Sequence, residues 1–393
     1  MTKNSKKWAG LLLGLNVVCL LGQLGIATPA IAATSEVILL QSNVSARRDS
    51  LLGNLSVVAN SPFDGIVINM PATYTAMLNT QTLDYNNVYG YWLQPLVGTM
   101  PKLRNSYINV NLRDSGDPFN DWTTTLANWS IVAQAGRAAG MRGIYFDNEA
   151  YVEPNALTFP GGVTNPGLGL AAYQERFRQR GADIMNAIQS VWNNVEVVSL
   201  HGPYVSEPST PQSVRLDQVG ASSDDMRGFL FAGMLGAKNP NAIVTDGGEV
   251  YQYRTAQDFA NSVAWRRNAM PQIPGGSVVP ASLRDTWASA ISLSFGLFDQ
   301  EWRPNGAYPM TPSILEEALF QAMMHSDRPV WLYAEANDYL VPGGVAPVWV
   351  DAIARAKDRA RIAQVPVPAT VFLMALGLLA LGAQRRRQHK TTA

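Results

Sequence analysis

Cysteine is almost absent from the chain: Cys19 is the only one, and it lies inside an apolar run near the N-terminus. The body that follows therefore has no thiol, disulfide or Cys-ligated metal site. Histidine is nearly as scarce, with His201, His325 and His389 making up the total. So few imidazoles argue against a His-rich zinc centre and against a metal-dependent deacetylase, and no metal or other cofactor is expected. Long uninterrupted apolar runs are missing too. The first one, from Leu11 to Leu21, is broken by Gly14 and Asn16 and falls short of the roughly 20 residues a membrane span needs. Positive charge is in deficit where it matters. All 30 acids lie in the body, whereas Lys3, Lys6, Lys7, Arg385, Arg386, Arg387 and Lys390 lie in the two ends, which leaves the body at about −7 and argues against nucleic acid as a partner.

The two ends carry address information. Lys3, Lys6 and Lys7 form a positive start, an apolar stretch follows, and Ala30-Ile31-Ala32 offers small residues for cleavage, the pattern of a secretory signal peptide over residues 1–33. An uncleaved anchor is the alternative. At the other end, residues 371–382 are apolar and run into Arg385-Arg386-Arg387 and Lys390, a short membrane-seeking helix with a positive stop. The segment "VPVPATVFLMALGLLALGAQRRR" resembles the PEP-CTERM sorting signal of bacterial envelope proteins, with Val367 where a Glu is usual. The resemblance implies an exosortase-type processing enzyme as partner over residues 365–393, with transient or permanent anchoring by the helix. A simple C-terminal anchor helix is the alternative. Either reading puts the body in the cell envelope or outside the cell.

Between residues 34 and 364, short apolar runs rich in β-branched residues alternate with longer segments of helical spacing, the mark of an α/β fold with parallel strands. Strands are expected at 65–69, 107–112, 143–146, 196–200, 242–245, 290–297 and 330–333, with an eighth between 88 and 96. Helices are expected at 122–139, 171–192, 224–235, 256–268, 313–325 and 348–362. Links from helix to strand are brief, while links from strand to helix run long and carry Pro, Gly and aromatics, as in "VEPNALTFPGGVTNPGLG". A (β/α)8 TIM-like barrel needs that asymmetry, because its site is built from loops at the C-terminal ends of the strands. A doubly wound open sheet would share the alternation. It is disfavoured because "NMPATYTAM", after the first expected strand, is no Gly-rich phosphate cradle.

Side chains two apart on a strand share a face, so Tyr145, Asp147 and Glu149 in "GIYFDNEAY" point the same way. The other strands also finish in polar or ionisable groups: Asn69; Asn109, Asn111 and Arg113; His201; Asp246 and Glu249; Asp299 and Glu301; Glu335. Any one of these acids reads as a helix cap or a solvated turn residue, but their convergence on one rim does not. Aromatics crowd the same ends, among them Tyr145, Tyr151, Tyr251, Trp302, Trp331 and Tyr333. Rings beside carboxylates suit the apolar faces and hydroxyl rims of sugars, although some must simply be core. Glycoside hydrolysis, which needs one carboxyl as proton donor and a second as nucleophile or base, is the chemistry expected. Glu149 is the expected donor, because Asp147 on the same face would raise its pKa. Glu249 or Glu335 is its expected partner, Glu249 being favoured by the two tyrosines in "DGGEVYQY". The remaining strand-end residues, Asn69, Asn111, Arg113, Asp246 and Glu301, are expected to bind substrate with the aromatics. His201 reads as a structural donor, a proton relay or a substrate hydrogen-bond donor. Asp114, Asp117 and Asp121 read as a solvated turn, with a Ca2+ or Mg2+ site as the alternative.

"GIYFDNEAY", "TDGGEVYQY" and "VWLYAEANDY" resemble segments of uncharacterised bacterial glycoside-hydrolase-like barrels, and Asp147-x-Glu149 is similar to the strand end of chitinase-like enzymes. That resemblance implies Glu149 as the acid and Asp147 as the group that orients a substrate acetamido, with Tyr145 standing where the pattern has a further Asp. The expected partner is a polysaccharide or oligosaccharide. A non-catalytic glycan-binding surface or matrix protein on the same barrel is the competing expectation, followed by another enzyme class such as a lyase, since folds do not fix chemistry.

Overall fold

The computed structural model describes residues 34–76, 81–111, 116–149, 157, 159–202, 226–272, 278–301 and 308–364. The expected signal peptide and sorting segment, and Arg113, Asp114, Tyr151 and Trp302, lie outside the described residues. Nine strands form one sheet: β1 (Val37–Gln41), β2 (Gly65–Ile68), β3 (Tyr107–Asn111), β4 (Gly143–Asp147), β5 (Glu196–Ser199), β6 (Ile243–Asp246), β7 (Ser292–Leu293), β8 (Gly296–Phe298) and β9 (Val330–Ala334). Every pairing is parallel, in the order β7-β6-β5-β4-β3-β2-β1-β9-β8. Strand β7 pairs with β6 and β8 with β9, yet only Ser294 and Phe295 separate β7 from β8. The two edges of the sheet thus meet in one run of chain, and the nine strands close into a barrel of eight walls. Closure removes the unpaired edges an open sheet would leave.

Nine helices surround it among the described residues: α1 (Arg48–Gly53), α2 (Leu55–Asn60), α3 (Thr123–Ala138), α4 (Leu170–Val191), α5 (Arg227–Ala237), α6 (Ala256–Ala264), α7 (Trp287–Ala290), α8 (Pro312–His325) and α9 (Pro347–Gln364). Local chemistry starts two of them. At α6 the Thr255 hydroxyl and the Asp258 carboxylate satisfy each other's backbone N–H groups, and at α8 the Thr311 hydroxyl accepts from Ile314 N with Pro312 in the first turn. Gly181 and Gly233 let α4 and α5 touch, since a Cβ on either would lie about 2 Å from a carbonyl of the other helix. None of the described helices is long and apolar enough to cross a membrane.

Period-two alternation sorts the strands' side chains into two cores. Ile38, Val67, Tyr107, Tyr145, Val198 and Trp331 fill the barrel, while their neighbours, including Val37, Ile66, Ile108, Ile144 and Val197, pack outward against the helices. The expected eighth strand between 88 and 96 is a correction. Residues Asn86–Leu93 form a wide helical turn that continues as Gln94–Leu96, burying Val88, Leu93 and Leu96. The missing wall is β1, whose first three residues are buried on both faces. A short run buried on both faces has no alternation to announce it as a strand.

Candidate active site

The site lies at the C-terminal ends of β4, β5 and β6. Asp147, the last residue of β4, and Glu149 beyond it continue the inward face: Asp147 accepts from the Asn111 amide on β3 at 2.8 Å and from the Glu149 backbone N–H at 3.3 Å. Asn148, between them, turns the other way and grips the end of β5. Its amide donates to His201 O at 2.8 Å and its carbonyl accepts from His201 N at 2.9 Å, both buried. Ser199 Oγ also donates to His201 O at 2.9 Å. Neither Asn148 nor this clamp was anticipated, and the only available signal was its position between the two acids.

Glu249 arrives by a different route. After β6 the chain turns through Gly247 and Gly248; Gly248 has a left-handed φ of 59° and a Cβ there would strike Ser294 O at 2.8 Å, so glycine is required. The turn rejoins the barrel where Glu249 bridges Gly296 and Val250 N donates to Gly296 O at 3.0 Å. Trp331 secures it from below, its indole N–H donating to Gly247 O at 2.9 Å.

These three strand ends bring Glu149, His201 and Glu249 together. His201 Nε2 lies 3.3 Å from Glu149 Oε1 and 4.0 Å from Glu249 Oε2, and one ligand-type atom from each of the three falls within 4.8 Å of the others. His201 is fully buried, the Glu249 side chain is 13% exposed and that of Glu149 35%. Burial, and then the Glu249 charge, push the Tyr251 hydroxyl well above its ordinary pKa, so it stays protonated and hydrogen-bonds Glu249. Tyr251 also stacks on Phe298 at 5.1 Å and on Tyr333 at 6.2 Å. Burial raises the Tyr333 pKa against a bond with Ser42; Glu335, Asp147 and Glu149 push it further up, which puts this ring among the carboxylates.

Other expected residues are placed differently. Asp246 faces outward: fully buried, it pairs with Arg266 at 3.1 Å, because it is in register with Ser199 and Phe146 on the helix side of the sheet. It is a structural ion pair behind the wall and cannot touch a ligand in the mouth. Tyr145, Trp331 and Asn69 lie too deep to bind substrate. Tyr145 and Trp331 meet edge to face at 5.7 Å and are fully buried, and Asn69 spends its amide on Gln41 O and its carbonyl on the Asn109 amide. Glu335 is exposed at the rim, where Gln300 donates to it at 3.2 Å. Glu301 is exposed past the end of β8.

Asp117 is a fastener. Burial alone would raise its pKa, but bonds from the Thr164 backbone and hydroxyl, Phe119 N and Tyr173 OH outweigh it and hold the carboxylate below its ordinary range. Asp121, just ahead of α3, accepts from Thr123 N at 2.9 Å and from its hydroxyl at 2.6 Å.

The C-terminal end of the chain and its body are similar to different things. Residues 364–387 carry a PEP-CTERM protein-sorting motif. The motif implies exosortase processing and marks an exosortase-sorted cell-surface protein. None of the curated proteins matches the chain in sequence. Among solved structures the chain is similar to a GH5-4 broad specificity endoglucanase from an uncultured bacterium, with 12% identity, coverage of 84% of this chain and 95% of that one, and a TM-score of 0.47. It is also similar to a GH18 chitinase from Pseudoalteromonas aurantia, with 12% identity, 82% and 100% coverage and a TM-score of 0.37. A sugar phosphate isomerase/epimerase from Parabacteroides distasonis shows the same kind of likeness, with 9% identity, 84% and 98% coverage and a TM-score of 0.35. The likeness is one of fold.

Proposed function

We propose that the chain is an exported glycoside hydrolase, a barrel over residues 34–364 between a cleaved signal peptide and the sorting segment, acting on an envelope or extracellular polysaccharide. The convergence of Glu149 and Glu249 around His201 carries this reading: carboxylate oxygens from two separate strand ends lie within 4.8 Å. We read the pair as retaining, since retaining enzymes hold their carboxyl groups about 5–5.5 Å apart whereas inverting ones leave about 6.5–9.5 Å for a water, and these two bring one oxygen each within 4.8 Å.

Exposure divides the roles. Glu149, the more open of the two, can exchange protons with water and reach a leaving-group oxygen, which suits the acid and base. Glu249, more enclosed and held by Tyr251, suits the nucleophile. Asn111 fixes Asp147, which in turn positions Glu149 through its backbone N–H. The half-buried ring of Tyr333 offers a face on which a sugar can lie.

Incubation with a panel of oligosaccharides and envelope polysaccharides tests this. Reducing ends should be released, and Glu149→Gln should lower turnover by about 10^2- to 10^4-fold with the fold intact. Retained glycan binding without any release by the native chain would make this a glycan-binding module instead.

A further inference from the structure

We propose that Glu149, His201 and Glu249 form a binding site for one divalent transition cation, of which Zn2+ is the best fit, and that the bound ion blocks hydrolysis. The site stands on its own geometry; only the blocking effect rests on the hydrolase reading. Among the described residues this is the one group of three or more Asp, Glu, His or Cys side chains whose ligand atoms come so close together.

The geometry needs little change. Zinc binds His nitrogen at about 2.0–2.1 Å and carboxylate oxygen at about 2.0–2.2 Å, so ligands on a tetrahedral ion stand roughly 3.3–3.5 Å apart. The His201–Glu149 pair is already at 3.3 Å and the His201–Glu249 pair at 4.0 Å. The imidazole is the fixed point, fully buried and held through its backbone by Asn148 and Ser199. Tyr251 orients Glu249 from outside the triad, as outer groups commonly orient a metal's ligands. The remaining gap, about half an ångström, lies at Glu249, while Glu149, the most exposed of the three, already stands at ligand spacing from the imidazole.

Donor chemistry narrows the ion. One nitrogen and two oxygens with no sulfur suit Zn2+ better than Cu(I), which selects soft ligands. Three protein donors including an imidazole are too few for the six to eight oxygens of Ca2+, and Mg2+ prefers all-oxygen octahedra. Two carboxylate ligands also bring the two negative charges that a dication balances. Occupancy would tie up the oxygens that hydrolysis requires as proton donor and nucleophile, so zinc and glycan should exclude each other.

The test is titration of the purified, chelator-treated full chain with Zn2+, Ca2+ and Mg2+ by calorimetry, with metal analysis and turnover measured in parallel. We expect saturable uptake of one Zn2+ per chain and none of Ca2+ or Mg2+ at the same concentrations. Because even outer-sphere partners cost about 10- to 100-fold in affinity, loss of a ligand in Glu149→Gln or His201→Gln should weaken uptake by more than about 100-fold. Glu149 is partly exposed, so its variant keeps the test valid if the His201 variant fails to fold. No stoichiometric zinc uptake, or uptake undiminished in Glu149→Gln, would overturn the site. Turnover that zinc leaves unchanged at saturating occupancy would overturn the blocking effect, while zinc uptake in a chain that cleaves no glycan would uphold the site and remove the hydrolase reading.

Discussion

The two ends of the barrel hold carboxylates in opposite ways. At the bottom, Glu196 at the start of β5 is buried against Arg142, whose Nε lies 3.0 Å away, and accepts from Tyr107 OH at 2.9 Å. Arg142 also reaches Glu36 at 2.7 Å. Burial alone would lower the pKa of Arg142, but its carboxylate partners outweigh that and the guanidinium stays charged. At the top, the group between Glu149 and Glu249 is the His201 imidazole. A guanidinium keeps its proton under all ordinary conditions, whereas an imidazole can give one up or take a metal. In the proposed hydrolase the same acid is therefore locked at one end and left able to react at the other, and the choice of counter-group makes the difference.

A third arrangement sits near the top but outside the lumen. Asp299, fully buried, accepts from the Asn337 amide at 2.9 Å, and burial pushes its pKa up to about 6 despite its polar neighbours Asn337 and Tyr339. Here the acid is kept by hydrogen bonds and a raised proton affinity, with neither a guanidinium nor an imidazole as the principal partner.

Substitutions that exchange these arrangements should separate activity from stability. The largest effect is expected from Glu249→Gln, with turnover down by about 10^3-fold or more and thermal stability equal or higher, since one of two crowded charges is removed. Arg142→Met should do the reverse. Leaving Glu196 buried without its cation should cost about 3–5 kcal/mol in denaturant unfolding, while turnover per folded molecule stays unchanged.

Asp299→Asn should act on pH dependence. The folded carboxylate holds its proton up to about 6, against an ordinary 3.8, so between those values the folded state binds more protons than the unfolded one. Its contribution is complete below about 3.8 and is lost as pH rises through about 6, to the extent of roughly 3 kcal/mol. Stability curves across this window should flatten in the variant; an unchanged slope would show that Asp299 does not set it. The smallest effect is expected from Tyr251→Phe, which removes the hydroxyl bonded to Glu249. Kinetics should show about a tenfold loss in kcat/KM, in keeping with about 1.5 kcal/mol for a hydrogen bond to a charged group.

The sequence made the barrel legible because alternating runs and asymmetric loops survive without coordinates, and the spacing of Asp147 and Glu149 put both on one face. Reading failed where the period of two is interrupted or hidden. Asp246 differs by a single residue from Thr245, and that step moves it from the lumen to the helix layer, where Arg266 waits. Glu249 enters the mouth only because Gly247 and Gly248 bend the chain, so its direction could not be counted from β6. Tyr145 and Trp331 lie partway along their strands, which makes them floor and not rim. His201 had no neighbour in sequence to reveal that two acids from other strand ends meet at its Nε2.

Covalent trapping tests the central claim most directly: a fluorosugar or epoxide inactivator matched to the hydrolysed glycan, followed by peptide mass mapping. The label should sit on Glu249 and vanish in Glu249→Gln. A label on Glu335, or hydrolysis that proceeds with inversion and leaves no label at all, would contradict the pairing of Glu149 with Glu249.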